Sequence, residues 1–239
     1  MLLLADADIT HKEALSILKE LRGEAAQRGG LETPKGGVSA MEMYRQALKH
    51  PRIITFCGEL DEMLGGGVAS GEVTEFCGAP GIGKTQMGIQ LAVDAFLPTA
   101  FGGPGGHAVY IDTEGSFMVD RVNDIAKAFV SHIRRMAGMR NEERMCDAAL
   151  QLTVEYILSN IHYFRVHDYA EQVAVIHQLP KFLATHPDVR VIVIDSVAFH
   201  FRHDWEDFAL RSRLLNSLAQ RLSNIAINHQ AAGNESLSP

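Results

Sequence analysis
The run Gly78-Ala79-Pro80-Gly81-Ile82-Gly83-Lys84-Thr85 limits what this chain can fold into more than any other feature. It matches GxxxxGK[ST], and it sits between an apolar stretch, Val73 to Phe76, and a stretch of helical character from Lys84 to about Phe96. In that context glycines let the backbone curl until successive N–H groups face one anion, and the following helix turns its positive end to the same place. Lys84 is then expected to reach the β- and γ-phosphates of a nucleotide, and the Thr85 hydroxyl to ligate Mg²⁺. The competing reading is a glycine-rich turn that fits the pattern by chance. The strand-like stretch before it and the helical one after it speak against that reading.

The remainder of the chain repeats the same alternation. Short apolar runs predict strands at Val73–Phe76, His107–Ile111, Ile161–Val166 and Val189–Ile194. Longer amphipathic runs predict helices from about Val119, over Cys146–Leu158, over Tyr169–Ala184 and over Trp205–Ile225, with the charged stretch Arg134–Arg144 as a separator. Strand, helix, strand in turn implies an α/β fold with a mainly parallel sheet flanked by helices on both faces. Before this core, Thr10 is placed to cap a helix through Leu21. Gly29 to Gly37 reads as a linker, and Met41–Leu48 as an amphipathic helix whose stripe serves packing.

Val191-Ile192-Val193-Ile194-Asp195 is an apolar strand ending in an acid. Together with the phosphate loop, it marks Asp195 as the second Mg²⁺ group beside Thr85. Ile111-Asp112-Thr113-Glu114 ends another strand in carboxylates, where an acid can orient or deprotonate an attacking water. A solvated strand end is the plainer alternative there. His200 and His203, with Asp204, lack further ligands at metal-binding spacing and read as structural or solvated histidines.

Composition narrows the class further. The 239 residues are 46% hydrophobic and 21% charged, which suits a globular α/β core. No apolar run approaches the ~18 residues of a membrane span, so no membrane partner is expected. Cys57, Cys77 and Cys146 are odd in number and unpaired in spacing, which fits a reducing compartment. A net charge of −7 argues against tight nucleic-acid binding through overall charge, though a local basic loop stays open.

Longer strings carry a family resemblance. Leu60-Asp61-Glu62-Met63-Leu64-Gly65-Gly66-Gly67-Val68, Gly71-Glu72-Val73-Thr74-Glu75 and the phosphate loop followed by Gln86 resemble the eukaryotic and archaeal RecA-like recombinases. Ile53-Ile54-Thr55-Phe56-Cys57, Phe117-Met118-Val119-Asp120-Arg121, Tyr163-Phe164-Arg165 and Phe199-His200-Phe201-Arg202-His203-Asp204 resemble the C-type paralogues among them. The resemblance runs from about residue 10 to residue 229.

It implies a P-loop NTPase with a RecA-like core, ATP and Mg²⁺ as cofactors, and work in homologous-recombination DNA repair. It further implies a nuclear protein, possible cytoplasmic presence included, and partners among other recombinase paralogues in a hetero-oligomer, with single-stranded or branched DNA. By the same resemblance, residues 78–86 (Gly78, Ala79, Pro80, Gly81, Ile82, Gly83, Lys84, Thr85 and Gln86) hold the nucleotide. Glu114 takes the place of the catalytic base, Arg121 stacks on the adenine, and Asp195 is the Walker B acid. Arg202 and His203 fall where the first DNA-binding loop lies.

Four segments follow: residues 1–28, a remnant of a small helical domain; 29–52, linker and helix; 53–230, the ATPase core; and 231–239, a polar tail. After Asn228-His229-Gln230 the sequence leaves the family pattern, so the C-terminal strands are expected to be lacking. In the resemblance, one of those strands separates Val73–Phe76 from Val189–Ile194. The expectation is therefore either a gap between these two or direct pairing that displaces Asp195. Three readings of function follow: a DNA-dependent ATPase of recombination repair, hydrolysing weakly; a non-catalytic interaction module; and a poorly folded truncated isoform.

Overall fold
The computed structural model describes residues 38–47, 51–202 and 208–235. The chain divides into two compact units, Met1–Lys49 and His50–Pro239. In the first, α1 (Ala40–Ala47) begins where Ser39 Oγ accepts the N–H of Glu42 at 3.1 Å, a hydroxyl cap. Met41 and Tyr44 of this helix are exposed. The expected helix at Thr10–Leu21 lies outside the described residues.

The second unit is a three-layer α/β fold. Its elements are α2 (Gly58–Met63), α3 (Lys84–Asp94), β1 (His107–Asp112), α4 (Val119–Arg140), α5 (Glu143–Gln151), α6 (Val154–Ser159), β2 (Ile161–Arg165), α7 (Tyr169–Thr185), β3 (Val189–Asp195) and α8 (Phe208–Glu235). Among the described residues the sheet has the order β2-β1-β3, all parallel. β1 lies in the middle and is buried from Ala108 to Asp112. Its side chains alternate between faces, as a pleated strand requires. Ala108 and Tyr110 pack against Ile89 and Val93 of α3, Phe96 just beyond its end, and Val122, Ala126 and Phe129 of α4. Val109 and Ile111 pack on the other face with Ile176 and Leu179 of α7 and Leu218 and Ile225 of α8. The parallel register sets Asp112 opposite both Arg165 and Asp195, so three functional-group side chains meet at the carboxyl end of the sheet.

Several expectations are corrected. The charged stretch Arg134–Arg144 does not separate two helices. α4 continues to Arg140 and stops at Asn141, whose left-handed backbone (φ 50°) ends the helix. The helix expected over Cys146–Leu158 is two helices, because the Thr153 hydroxyl accepts the Tyr156 N–H and starts a new one. α8 extends to Glu235, beyond the expected end at Ile225 and into the segment read as a polar tail.

Val73–Phe76 joins no ladder. It runs without regular structure, and Val73 is 58% exposed. β3 correspondingly pairs only with β1 among the described residues, and Arg190 to Asp195 are half-buried rather than sealed on both faces. Direct pairing of Val73–Phe76 with β3, one of the two outcomes foreseen, is absent among the described residues. Phe76 and Val191 still pack against the same small cluster, built on Leu91 and Ala95 at the C-terminal end of α3.

Candidate nucleotide site
The glycine-rich loop reaches α3 through Gly81 (φ 84°) and Gly83 (φ 100°), and Gly83 is the residue that caps the helix. Both lie in the left-handed region, which an L side chain enters only at a cost. A Cβ at Gly78 would stand 2.0 Å from Cδ1 of the exposed Ile82 side chain. No side chain caps α3, which leaves its first N–H groups facing the loop. Lys84 Nζ donates to Gly78 O and Ala79 O, both at 2.9 Å, so the ammonium is folded over the loop it is expected to serve.

Thr85, in the first turn of α3, meets Asp195 at the end of β3. Its hydroxyl donates to Asp195 Oδ2 at 2.6 Å. Asp195 thus stands in contact with Thr85 although Val73–Phe76 and β3 do not pair. Tyr110 reaches the same carboxylate from β1 at 3.0 Å. Burial, and then the negative charge of Asp195, push the Tyr110 phenol above its ordinary range, so it stays a donor.

The loop after β1 is stitched to the loop after β3. Thr113 N donates to Asp195 O at 2.9 Å, Ser196 N to Thr113 Oγ1 at 2.7 Å, and Ser196 Oγ to Glu114 Oε1 at 3.0 Å. Glu114, proposed from the sequence as a base, thus stands exposed one residue beyond Asp195 and is held there by a hydroxyl.

Arg121 and Gln86 come together in the fold, Arg121 Nε donating to Gln86 Oε1 at 2.9 Å. Both line an open cavity of about 400 Å³ between α3 and α4, with Phe56, Gln90, Phe129 and His132 among its walls. Phe56 meets Phe129 and His132 edge-on, at ring-centre distances of 5.8 and 5.5 Å. Its backbone is left-handed (φ 58°), unusual for a bulky residue. Asp61 Oδ1 accepts both the N–H and the hydroxyl of the preceding Thr55, at 2.8 and 2.9 Å, and Cys57 N donates back to Thr55 Oγ1 at 3.2 Å. The residues on either side of Phe56 are thereby fixed.

The sequence reading assigned no role to Phe56 as a cavity wall, to Tyr110 or to Asp94. Asp94 is fully buried under the cavity wall, where Gln90 Nε2 donates to its Oδ1 at 2.7 Å and Oδ2 has no partner. Burial pushes its carboxyl up to about 8 against the opposing pull of Gln90. An acid in the apolar run Leu91-Ala92-Val93-Asp94-Ala95-Phe96 was the available signal for such a group. Of the two candidate DNA contacts, Arg202 is exposed at the end of a short 3-10 turn, Phe199–Phe201. His203 lies outside the described residues.

The residues present fit the expected group. A hydroxyl and a carboxylate in contact supply the hard oxygen donors that suit Mg²⁺. The loop beside them makes its turn through Gly81 and Gly83, both in the left-handed region.

Comparison with known proteins adds a family. The model for the family described as Rad51 matches residues 46–142 and 133–233. The DNA repair protein RAD51 homolog 3 of Cricetulus griseus is 45% identical over 231 residues, covering 95% of this chain and 63% of the relative. The protein of the same name in Dictyostelium discoideum is 45% identical over 197 residues, covering 82% of this chain and 51% of the relative. The chain thus spans between half and two thirds of the length of these relatives.

Proposed function
From the premise that the chain belongs to the Rad51 family, we propose that it is an ATP-binding recombinase paralogue of homologous-recombination DNA repair. In this reading it is a nuclear subunit of a heteromeric paralogue complex that works on single-stranded or branched DNA. The observation that carries the nucleotide part is the 2.6 Å contact between Thr85 and Asp195 beside the Lys84 loop. That contact joins the two oxygen ligands a P-loop site needs.

Residues 78–85 wrap the phosphates, and Lys84 exchanges its loop carbonyls for the β- and γ-phosphate oxygens. Thr85 and Asp195 hold Mg²⁺, which when bound neutralises charge building on those oxygens. Arg121 and Gln86 face the base, the planar guanidinium stacking on it. Glu114 orients the attacking water. Arg202 and His203 are the candidate DNA contacts.

A second reading, a partner-binding module with little turnover, is favoured by one observation. Val73–Phe76, the segment leading into the phosphate loop, stands outside the sheet, so the loop lacks the strand that would fix its entry. Thermal unfolding with and without Mg·ATP, beside Lys84→Ala, separates the two. An ATP-dependent rise in melting temperature that the variant loses supports the first. A cooperative transition that ATP leaves unmoved supports the second.

A further inference from the structure
Asp112 is fully buried at the end of β1, yet its carboxylate is the centre of a network rather than a passive strand end. Oδ1 accepts the N–H groups of Glu114 at 3.1 Å, Gly115 at 2.7 Å and Ser116 at 3.2 Å, and Oδ2 accepts that of Phe117 at 3.2 Å. Four consecutive backbone donors therefore converge on one side chain. Burial alone would raise this carboxyl, but the N–H groups of Phe117, Gly115 and Ser116 and the Tyr163 hydroxyl outweigh it and hold it below the ordinary carboxylate range.

The network is braced from β2. Tyr163 Oη donates to Asp112 Oδ2 at 3.1 Å, and its ring stacks on Phe117 with centres 4.8 Å apart. Arg165 Nη1 donates to Asp112 O at 2.9 Å and to Val166 O at 3.0 Å, and stands 3.9 Å from Asp112 Oδ1. Gly115 completes the fit. Its φ is 78°, and a Cβ there would lie 2.9 Å from the Arg165 guanidinium. Tyr163 and Arg165 make no hydrogen bond to Thr85 or Lys84, and yet they hold the loop that carries Glu114.

We propose that Asp112 is a positioning residue, which gathers the N–H groups of Glu114 to Phe117 around one buried carboxylate and, braced by Tyr163 and Arg165, fixes where Glu114 stands. The inference rests on the reading of Glu114 as the water-orienting base. A group of this kind tolerates little misplacement, since a shift of about 1 Å in a catalytic array costs on the order of 100-fold in rate.

The test is steady-state Mg·ATP hydrolysis together with amide hydrogen exchange on wild type, Asp112→Ala, Asp112→Asn, Tyr163→Phe, Arg165→Lys and Glu114→Gln. Asp112→Ala is expected to lower kcat by roughly 10- to 100-fold with KM little changed. Asp112→Asn, which keeps an acceptor for the three N–H groups on Oδ1, recovers part of the loss. The double variant Asp112→Ala/Glu114→Gln is no slower than Glu114→Gln alone. Additive losses in the double variant, or a rise in KM with kcat unchanged, overturn the proposal. If Asp112→Ala does not fold, Arg165→Lys and Tyr163→Phe carry the same split. A wild type that turns over no faster than Lys84→Ala overturns the function reading instead, and amide exchange then decides the clamp. Glu114–Phe117 amides protected in wild type and released in Asp112→Ala or Arg165→Lys uphold it, and free exchange in wild type overturns it.

Discussion

Tyr110 Oη donates to Asp195 Oδ2 at 3.0 Å, the same oxygen that takes the Thr85 hydroxyl at 2.6 Å. A buried phenol from the central strand and a hydroxyl from the phosphate helix thus fix one carboxylate between them. A hydrogen bond to a charged group contributes about 1.5–3 kcal/mol. Tyr110→Phe is therefore expected to lower stability by about that amount, read from denaturant unfolding. An unchanged midpoint would mean that Thr85 and Ser116, whose hydroxyl lies 3.5 Å from the same oxygen, position Asp195 without it.

Asp94 predicts an unusual pH dependence. Its carboxyl is raised from 3.8 to about 8 in the folded chain, so the folded state holds a proton that the unfolded state releases. Stability from this group is complete below about pH 4 and falls as pH rises, reaching its minimum once pH passes about 8. Asp94→Asn is expected to flatten that slope and to be the more stable protein at pH 8. Unfolding curves between pH 6 and pH 9 are the measurement, and parallel wild-type and variant profiles would refute the assignment.

The amino end of the sheet predicts the opposite trend in mild acid. His162 lies between His107 and His186, with ring centres 6.2 and 4.8 Å away, and its Nε2 is buried without a partner. Burial first, and then the neighbouring imidazoles, hold His162 below 6.5. His107 is lowered likewise, chiefly by burial, with Asp188 opposing and Arg190 and His186 assisting. A depressed folded value means that stability is present above pH 6.5 and is lost as pH falls through it. His162→Phe should reduce the fall in melting temperature between neutral pH and the acid side of 6.5. An equally steep fall in the variant would place the acid sensitivity elsewhere.

Arg121→Ala tests the base contact apart from the phosphates. Loss of a stacked guanidinium costs about 1–2 kcal/mol, or roughly tenfold in affinity for ATP. Titration with ATP and with inorganic triphosphate is the discriminating measurement. Weaker ATP binding with triphosphate binding unchanged is the expected result, and equal loss for both would assign Arg121 to the phosphates.

Much of this molecule is written locally. Residues 77–83 form the loop between Phe76 and α3, because a glycine turn and a helix start need only neighbouring residues. The three strands of the sheet were legible as apolar runs, and Asp195 and Glu114 could be named because strand ends in a parallel sheet share one edge. Belonging to the Rad51 family was legible in longer strings of the same kind. Val73–Phe76 was not, for a physical reason. A helix satisfies its own backbone, whereas a strand exists only where another strand supplies the partner groups, and no described segment does so here. Tertiary structure alone also decided that Asp112 would collect four backbone N–H groups and that Asp94 would be buried with one oxygen unpaired. A carboxylate's charge state and task depend on which distant groups the fold brings to it, and spacing along the chain does not record them.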